Sequence, residues 1–327
     1  MFFHDQEPVW MDLHKPLFDE VKRRNYDLEY HHGVQGHLVV SELGDYVDNL
    51  AEKYNWKIHY YFYHGWACQD WYRGYDRTYL IKRARDRAPT KTFMSPNRIV
   101  AGKRDHRVLF LYNVFKNKLE NNHISAPRIC QYENQDIATI AKKYADHYPD
   151  IETVFNSAKL PRLFADEEHQ LMTSCWLSNF KEAEDSLVYV PTETVYFGDR
   201  LHITEKTFKA IALEMPFVLV APYNSLEYMR SYGFKTFSPI LDESYDQETD
   251  PYLRIEKVTK LLKELNDLSI NERISIHKHL LPITEYNYNH FYKGGLTSIL
   301  DQELNTMLTS IASSVFKGLN YDIRCCR

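Results

Sequence analysis

Thr204, Glu205 and Lys206 follow one another where a short apolar run gives way to a helical pattern. A hydroxyl, a carboxylate and an ammonium group at a helix start can cap the helix, accept from ligand hydroxyls and pair with phosphate. The surrounding residues support that placement. Residues 187–190, Leu-Val-Tyr-Val, read as a buried strand. Phe208, Ile211, Ala212 and Met215 then recur at helical spacing, with Thr204 as N-cap, and Pro216 ends the helix. Residues 217–220, Phe-Val-Leu-Val, give a second buried strand. A strand–loop–helix–strand unit with charges at the helix mouth is where a doubly wound fold holds a phosphorylated ligand. The plainer alternative is that Glu205 only complements the helix dipole and Lys206 is a solvated surface charge.

The chain that must position these residues has 327 of them, enough for two domains. Its 44% hydrophobic and 26% charged content is that of a globular protein, and no run approaches a membrane span. Five cysteines without metal-ligand spacing fit reduced thiols, so a cytoplasmic setting is expected, or the host cytoplasm if the protein is viral. The abrupt apolar start, Phe2-Phe3, raises the question of whether residues precede Met1. Between residues 73 and 107 stand eleven Lys or Arg against three Asp, in a chain of net charge −5. A basic segment in an acidic protein points to a local anionic partner, nucleotide phosphate or a nucleic-acid backbone.

In chain order the pattern gives a strand end at 2–3, a helix at 20–25, a strand at 38–40, a helix at 45–54 and a strand at 57–63 closed by His64-Gly65-Trp66. Helices follow at 107–120 and 136–144, with 149–161 irregular. Beyond the central unit come helices at 224–232, 252–265, 271–281 and 297–316, with a short strand at 236–237. Strands alternating with helices predict an α/β fold with parallel sheets. The expected division is one α/β domain at 1–165 and a second at 166–290. A C-terminal helical segment at 291–327 could cross back to the first.

Several signatures are absent: G-x-G-x-x-G, the P-loop, G-x-S-x-G, H-E-x-x-H and a D-x-D triplet. The run Ile203-Thr204-Glu205-Lys206-Thr207-Phe208-Lys209-Ala210, continued by Glu214-Met215-Pro216-Phe217-Val218-Leu219, resembles the donor-binding motif of the α1,3-fucosyltransferase group. That group belongs to the GT-B glycosyltransferases. Asn97-Arg98 followed by His106-Arg107, an apolar helix and Ser125 is similar to a segment of fucosyltransferase-like and phage-encoded glycosyltransferases. Residues 180–246, including Gly233-Phe234-Lys235-Thr236-Phe237, resemble phage glycosyltransferases as well.

The resemblance implies a GT-B-like fold, two Rossmann-type domains facing a cleft, with 1–165 as the acceptor-side domain and 166–290 as the nucleotide-sugar-binding domain. It implies a nucleotide sugar as co-substrate and a hydroxyl acceptor, with no further cofactor and no metal. Glu205 would accept from the ribose hydroxyls, Lys206 would pair with the diphosphate, and Thr204 would order the helix start. Tyr196 would lie near the base, and Arg98 or Arg107 would add charge against the leaving group. An inverting reaction also needs a general base. Asp5 and Glu7, after the first strand, are the candidates, with His64 behind them; a retaining reaction needs none. Two other functions stay open. One is a phage DNA-modifying transferase acting on hydroxymethylated bases, with the basic segment on the DNA backbone. The other is a non-catalytic nucleotide- or sugar-binding protein on the same fold.

Overall fold

A computed structural model describes residues 2–3, 8–26, 29–30, 33, 35–75, 86–130, 133–164 and 175–318. The chain is mixed α/β, built on two parallel sheets. The first contains β1 (Phe2–Phe3), β2 (Gly36–Val40) and β3 (Trp56–Tyr60), in that spatial order. Leu38 is in register with Ile58 and Val40 with Tyr60. Because strand side chains alternate, Leu38 and Val40 share one face. There they join Val9, Phe18, Val47, Leu50, Tyr54 and Trp56 in a small core beneath α1 (Met11–Arg24) and α2 (Asp45–Tyr54). Val39 points the other way, into the main core.

The second sheet carries the main core. Its strands are β4 (Lys91–Ser95), β5 (His123–Ile124) and β8 (Ser186–Tyr189), ordered β5-β4-β8 and all parallel. Between β5 and β8 in sequence, β6 (Ile129–Cys130) and β7 (Gln135–Asp136) form a separate antiparallel pair. Parallel bridges from Tyr189 to Phe217 and from Thr192 to Val220 add residues 217–220 beyond β8.

The crossover from β4 to β5 runs through α4 (His106–Lys116), and that from β8 to 217–220 through α8 (Glu205–Ala212). They leave the middle of the sheet in opposite directions. Right-handed crossovers therefore place α4 and α8 on opposite faces, and the order reverses between β4 and β8. α10 (Pro251–Asn266) packs on α4 and β4, while α11 (Ile270–Tyr292) packs on α8 and β8.

Between the two sheets in sequence comes α3 (Tyr63–Tyr72), which packs on α8. Further α-helices among the described residues are α5 (Ile137–Ala141), α6 (Ile151–Ser157), α7 (Phe180–Asp185), α9 (Ser225–Ser231) and α12 (Gly295–Gly318). α12 runs back to the first sheet, where Ser314 Oγ lies 3.1 Å from His37 Nε2. No helix among the described residues is long and apolar enough to cross a membrane.

The architecture differs from the sequence expectation at several places. The boundary expected between 165 and 166 lies outside the described residues, and strands from both sides of it share the second sheet. The change of sheet falls between β3 and β4. β4 is the reason: Thr92, Phe93, Met94 and Ser95 are all fully buried, as a central strand with neighbours on both sides requires. The strand expected through residue 63 ends at Tyr60, and His64-Gly65-Trp66 begins a helix. The segment expected to be irregular contains α6, and 236–237 is not a strand.

Candidate active site at the sheet switch point

The carboxyl ends of β4 and β8 carry a belt of buried polar side chains. Asn97 organises it. Its backbone N–H donates to Ser125 Oγ at 2.6 Å, and its Nδ2 donates to Ser95 O and Oγ at 3.1 and 3.0 Å. Its Oδ1 accepts from Thr192 Oγ1 at 2.8 Å, while Ser95 Oγ donates to Val190 O at 2.9 Å. Arg107 donates to the carbonyls of Ile99 and Thr192 at 2.8 and 2.9 Å, bracing the loop after β4 against the loop after β8. His106 is fully buried, and burial, with Arg107 beside it, pushes its ring far below the usual histidine range. The neutral ring contacts Glu193 O at 3.0 Å; a carbonyl can only accept, so its proton sits on Nε2.

One step further along the chain, Glu193 holds the start of α8. Its carboxylate is fully buried and accepts from Thr204 N at 3.2 Å, from Thr207 Oγ1 at 2.6 Å and from Thr204 Oγ1. A negative charge there complements the positive end of the helix. Thr204 is the N-cap, accepting from Lys206 N. The Lys206 ammonium uses all three of its donors inside the protein: Thr194 Oγ1 at 3.0 Å, Thr204 Oγ1 at 3.0 Å and Glu205 Oε1 at 2.9 Å.

Glu205 lies between this ammonium and His64, whose Nε2 is 3.7 Å away on the first turn of α3. Burial alone would raise the Glu205 carboxyl. Lys206, by charge and hydrogen bond, with His64 and Lys209, outweighs that and holds it well below the ordinary carboxylate range. Burial and the neighbouring His202 ring push His64 down to about 3 against the opposing pull of Glu205. At neutral pH the pair is therefore a carboxylate beside a neutral imidazole.

The first sheet reaches the same place. Leu43, just beyond β2, and Leu201, just before α8, exchange backbone hydrogen bonds of 3.0 and 2.8 Å. Next to them Arg200 grips both oxygens of the buried Glu42 and donates to Val9 O at 3.0 Å. Its guanidinium lies 4.3 Å from the Trp10 ring centre and 4.5 Å from that of Tyr46. The loops leaving the carboxyl ends of both parallel sheets thus converge on the N-terminus of α8.

The residues expected from sequence fall into four groups. Thr204, Glu205 and Lys206 stand together at the helix mouth with His64 against them. Tyr196 and Arg107 are close by but built into the walls. Tyr196 is 2% exposed, stacked on His106 at 5.1 Å, with Arg254 4.5 Å from its ring centre and its hydroxyl donating to Pro251 O. Arg98 is partly exposed on the loop after β4. Asp5 and Glu7 lie outside the described residues.

Asn97, His106, Arg107 and Ser125, flagged by resemblance, enter one polar belt. Glu193 and Thr194 had no such flag; their signal was a polar Thr-Glu-Thr run directly after a buried strand. No family model, curated protein or solved structure matches this chain.

Proposed function

We propose that this chain is a glycosyltransferase of GT-B type, moving a sugar from a nucleotide-sugar donor to a hydroxyl acceptor. The observation that carries the reading is the placement of Glu205 and Lys206. They sit on the first turn of a buried-strand-to-helix unit, at the point where the order of the second sheet reverses and the loops of the first sheet meet it. Departure of a nucleoside diphosphate builds negative charge, and a helix N-terminus carrying an ammonium stabilises it. Lys206 would exchange its neutral threonine partners for phosphate oxygens. Glu205, kept ionised, would accept from ribose hydroxyls, and Arg98 would approach the diphosphate from the loop after β4. For an inverting reaction the base would come from Asp5 or Glu7, with His64 behind them.

Part of the basic segment faces the protein rather than a DNA backbone. Two of its arginines are spent inside the protein, Arg87 on the carbonyl of Leu213 and Arg107 on those of Ile99 and Thr192. Neither is placed to hold a phosphate backbone.

A panel of nucleoside diphosphates and nucleotide sugars should include at least one that raises the melting temperature of the wild-type protein. Lys206→Ala should remove most of that shift, and Glu205→Gln should reduce it for ribonucleotides more than for inorganic pyrophosphate. Shifts that are the same in both variants would overturn this reading.

A further inference from the structure

A cavity lies away from the α8 mouth, between the edge strand β3, α9 and the returning helix α12. Its volume is about 820 Å³, within the roughly 300–1,000 Å³ of small-molecule sites. None of its lining residues is Lys or Arg. Its lining includes Glu303, half-buried, its carboxylate accepting from Tyr232 Oη at 2.9 and 3.2 Å and from the backbone N–H of Phe62. No cationic side chain lies within ion-pair distance of it among the described residues.

A carboxylate held this way repels phosphates, nucleotides and nucleic acid, and its remaining lone pairs call for donors. Around it the other polar groups are neutral: the Gln302 amide can donate and accept, while the hydroxyls of Ser231 and Thr306, which donate to the carbonyls of Tyr228 and Gln302, offer acceptors. Tyr228 and Tyr232, with ring centres 5.2 Å apart, supply apolar surface on the same wall. Several acceptors, an amide donor and aromatic surface in one uncharged-to-acidic cavity match one chemistry, a ring carrying C–H faces and many hydroxyls.

We propose that this groove is a binding site for a neutral saccharide, held by Glu303, Tyr232 and Gln302. The site stands independently of the donor reading at α8. Only the role of the bound sugar as acceptor would rest on that reading.

The test is saturation-transfer NMR on the full chain with glucose, galactose, N-acetylglucosamine and lactose as probes, and choline and glucose 1-phosphate as charged controls. At least one neutral saccharide should receive saturation. Its affinity should fall roughly tenfold or more in Glu303→Gln and Tyr232→Phe, the cost of losing a hydrogen bond to a charged group. Gln302→Lys, at an exposed helix position, should weaken binding while leaving the ligand-free melting temperature unchanged. It should also leave the nucleotide-induced shift at α8 intact, so that the two sites fail or stand separately. Saturation of none of the saccharides, binding undiminished in all three variants, or binding of choline alone would overturn the proposal.

Discussion

Asp246 shows how one buried carboxyl can set a pH dependence. It is 3% exposed, and its Oδ1 accepts from Leu226 N at 3.0 Å while its carbonyl accepts from Asn224 N at 2.8 Å. It therefore caps α9 from a distance, where the local N-cap Asn224 has a left-handed backbone and makes no side-chain bond to the helix. Its Oδ2 has no hydrogen-bond partner among the described residues. Burial raises this carboxyl to about 6, against the backbone bonds at Leu226 and Glu227 and the charge of Arg230. A folded pKa above the unfolded value near 3.9 means that the folded state holds the proton more tightly. The contribution is fully present at low pH and is lost as pH rises from about 4 to 6. Asp246→Asn removes this titration. Relative to wild type, the variant should gain about 1–3 kcal/mol between pH 4 and pH 7 in urea unfolding. Parallel profiles for the two proteins would refute the assignment. What is local at this scale could be read in advance: Thr204 as a cap depends only on its neighbours. Glu193, eleven positions upstream, could not be read as its partner, because that contact exists only once β8 and α8 pack. Nor does sequence distinguish a tyrosine facing a ligand from Tyr196, whose ring is closed in by His106 and Arg254.

At the scale of elements, the loop before α8 depends on the first sheet more than on its own. Glu42 is 1% exposed and takes the Arg200 guanidinium on both oxygens together with Val9 N at 2.9 Å. Removing one partner of such a pair leaves a buried charge without compensation. Arg200→Ala should cost about 3–5 kcal/mol. The double variant with Glu42→Gln should cost clearly less than the two single changes added together. Amide exchange at Leu43 and Leu201 should accelerate together in Arg200→Ala, since their mutual hydrogen bonds lie beside the pair. Exchange that rises at only one of them would separate the ion pair from the bridge. Elements with a strong period were readable: β2, β8, α8 and α10 all stand where apolar spacing placed them. α3 was not, because its Tyr-His-Gly-Trp start has no clean apolar stripe and aromatic residues occur on both its sides. β4 was hidden in a basic segment, its burial arising from neighbouring strands rather than from a run of branched residues. α11 continues through Pro282 to Tyr292, past the end expected at residue 281.

Over the whole molecule, alternating strands and helices made an α/β class with parallel sheets legible. The pairing of β4 with β8 across most of the intervening chain was not, since long-range pairing leaves no local pattern. Such pairing also decides which ionisable groups become buried, and the histidines carry the main consequence. His37 and His59 touch ring to ring, Nδ1 to Nε2 at 2.9 Å, under the end of α12, and burial lowers both, His59 to about 4. His64 is lowered to about 3 and fully buried His106 is lowered as well, burial being the leading cause for each. These rings stay neutral in the folded state but titrate near 6.5 when unfolded. Their contribution to stability is therefore present above pH 6.5 and is lost as pH falls toward their folded values. The depressed Glu205 carboxyl acts in the same direction at lower pH, and Asp246 acts against it. Four imidazoles outweigh one carboxyl, so the unfolding free energy should fall by on the order of 4–6 kcal/mol from pH 7 to pH 5. Urea titrations across that range measure it directly. A flat profile would mean that the rings take up protons while folded. In that case two cationic imidazoles 2.9 Å apart could not hold α12 against the first sheet, and that packing would have to be wrong.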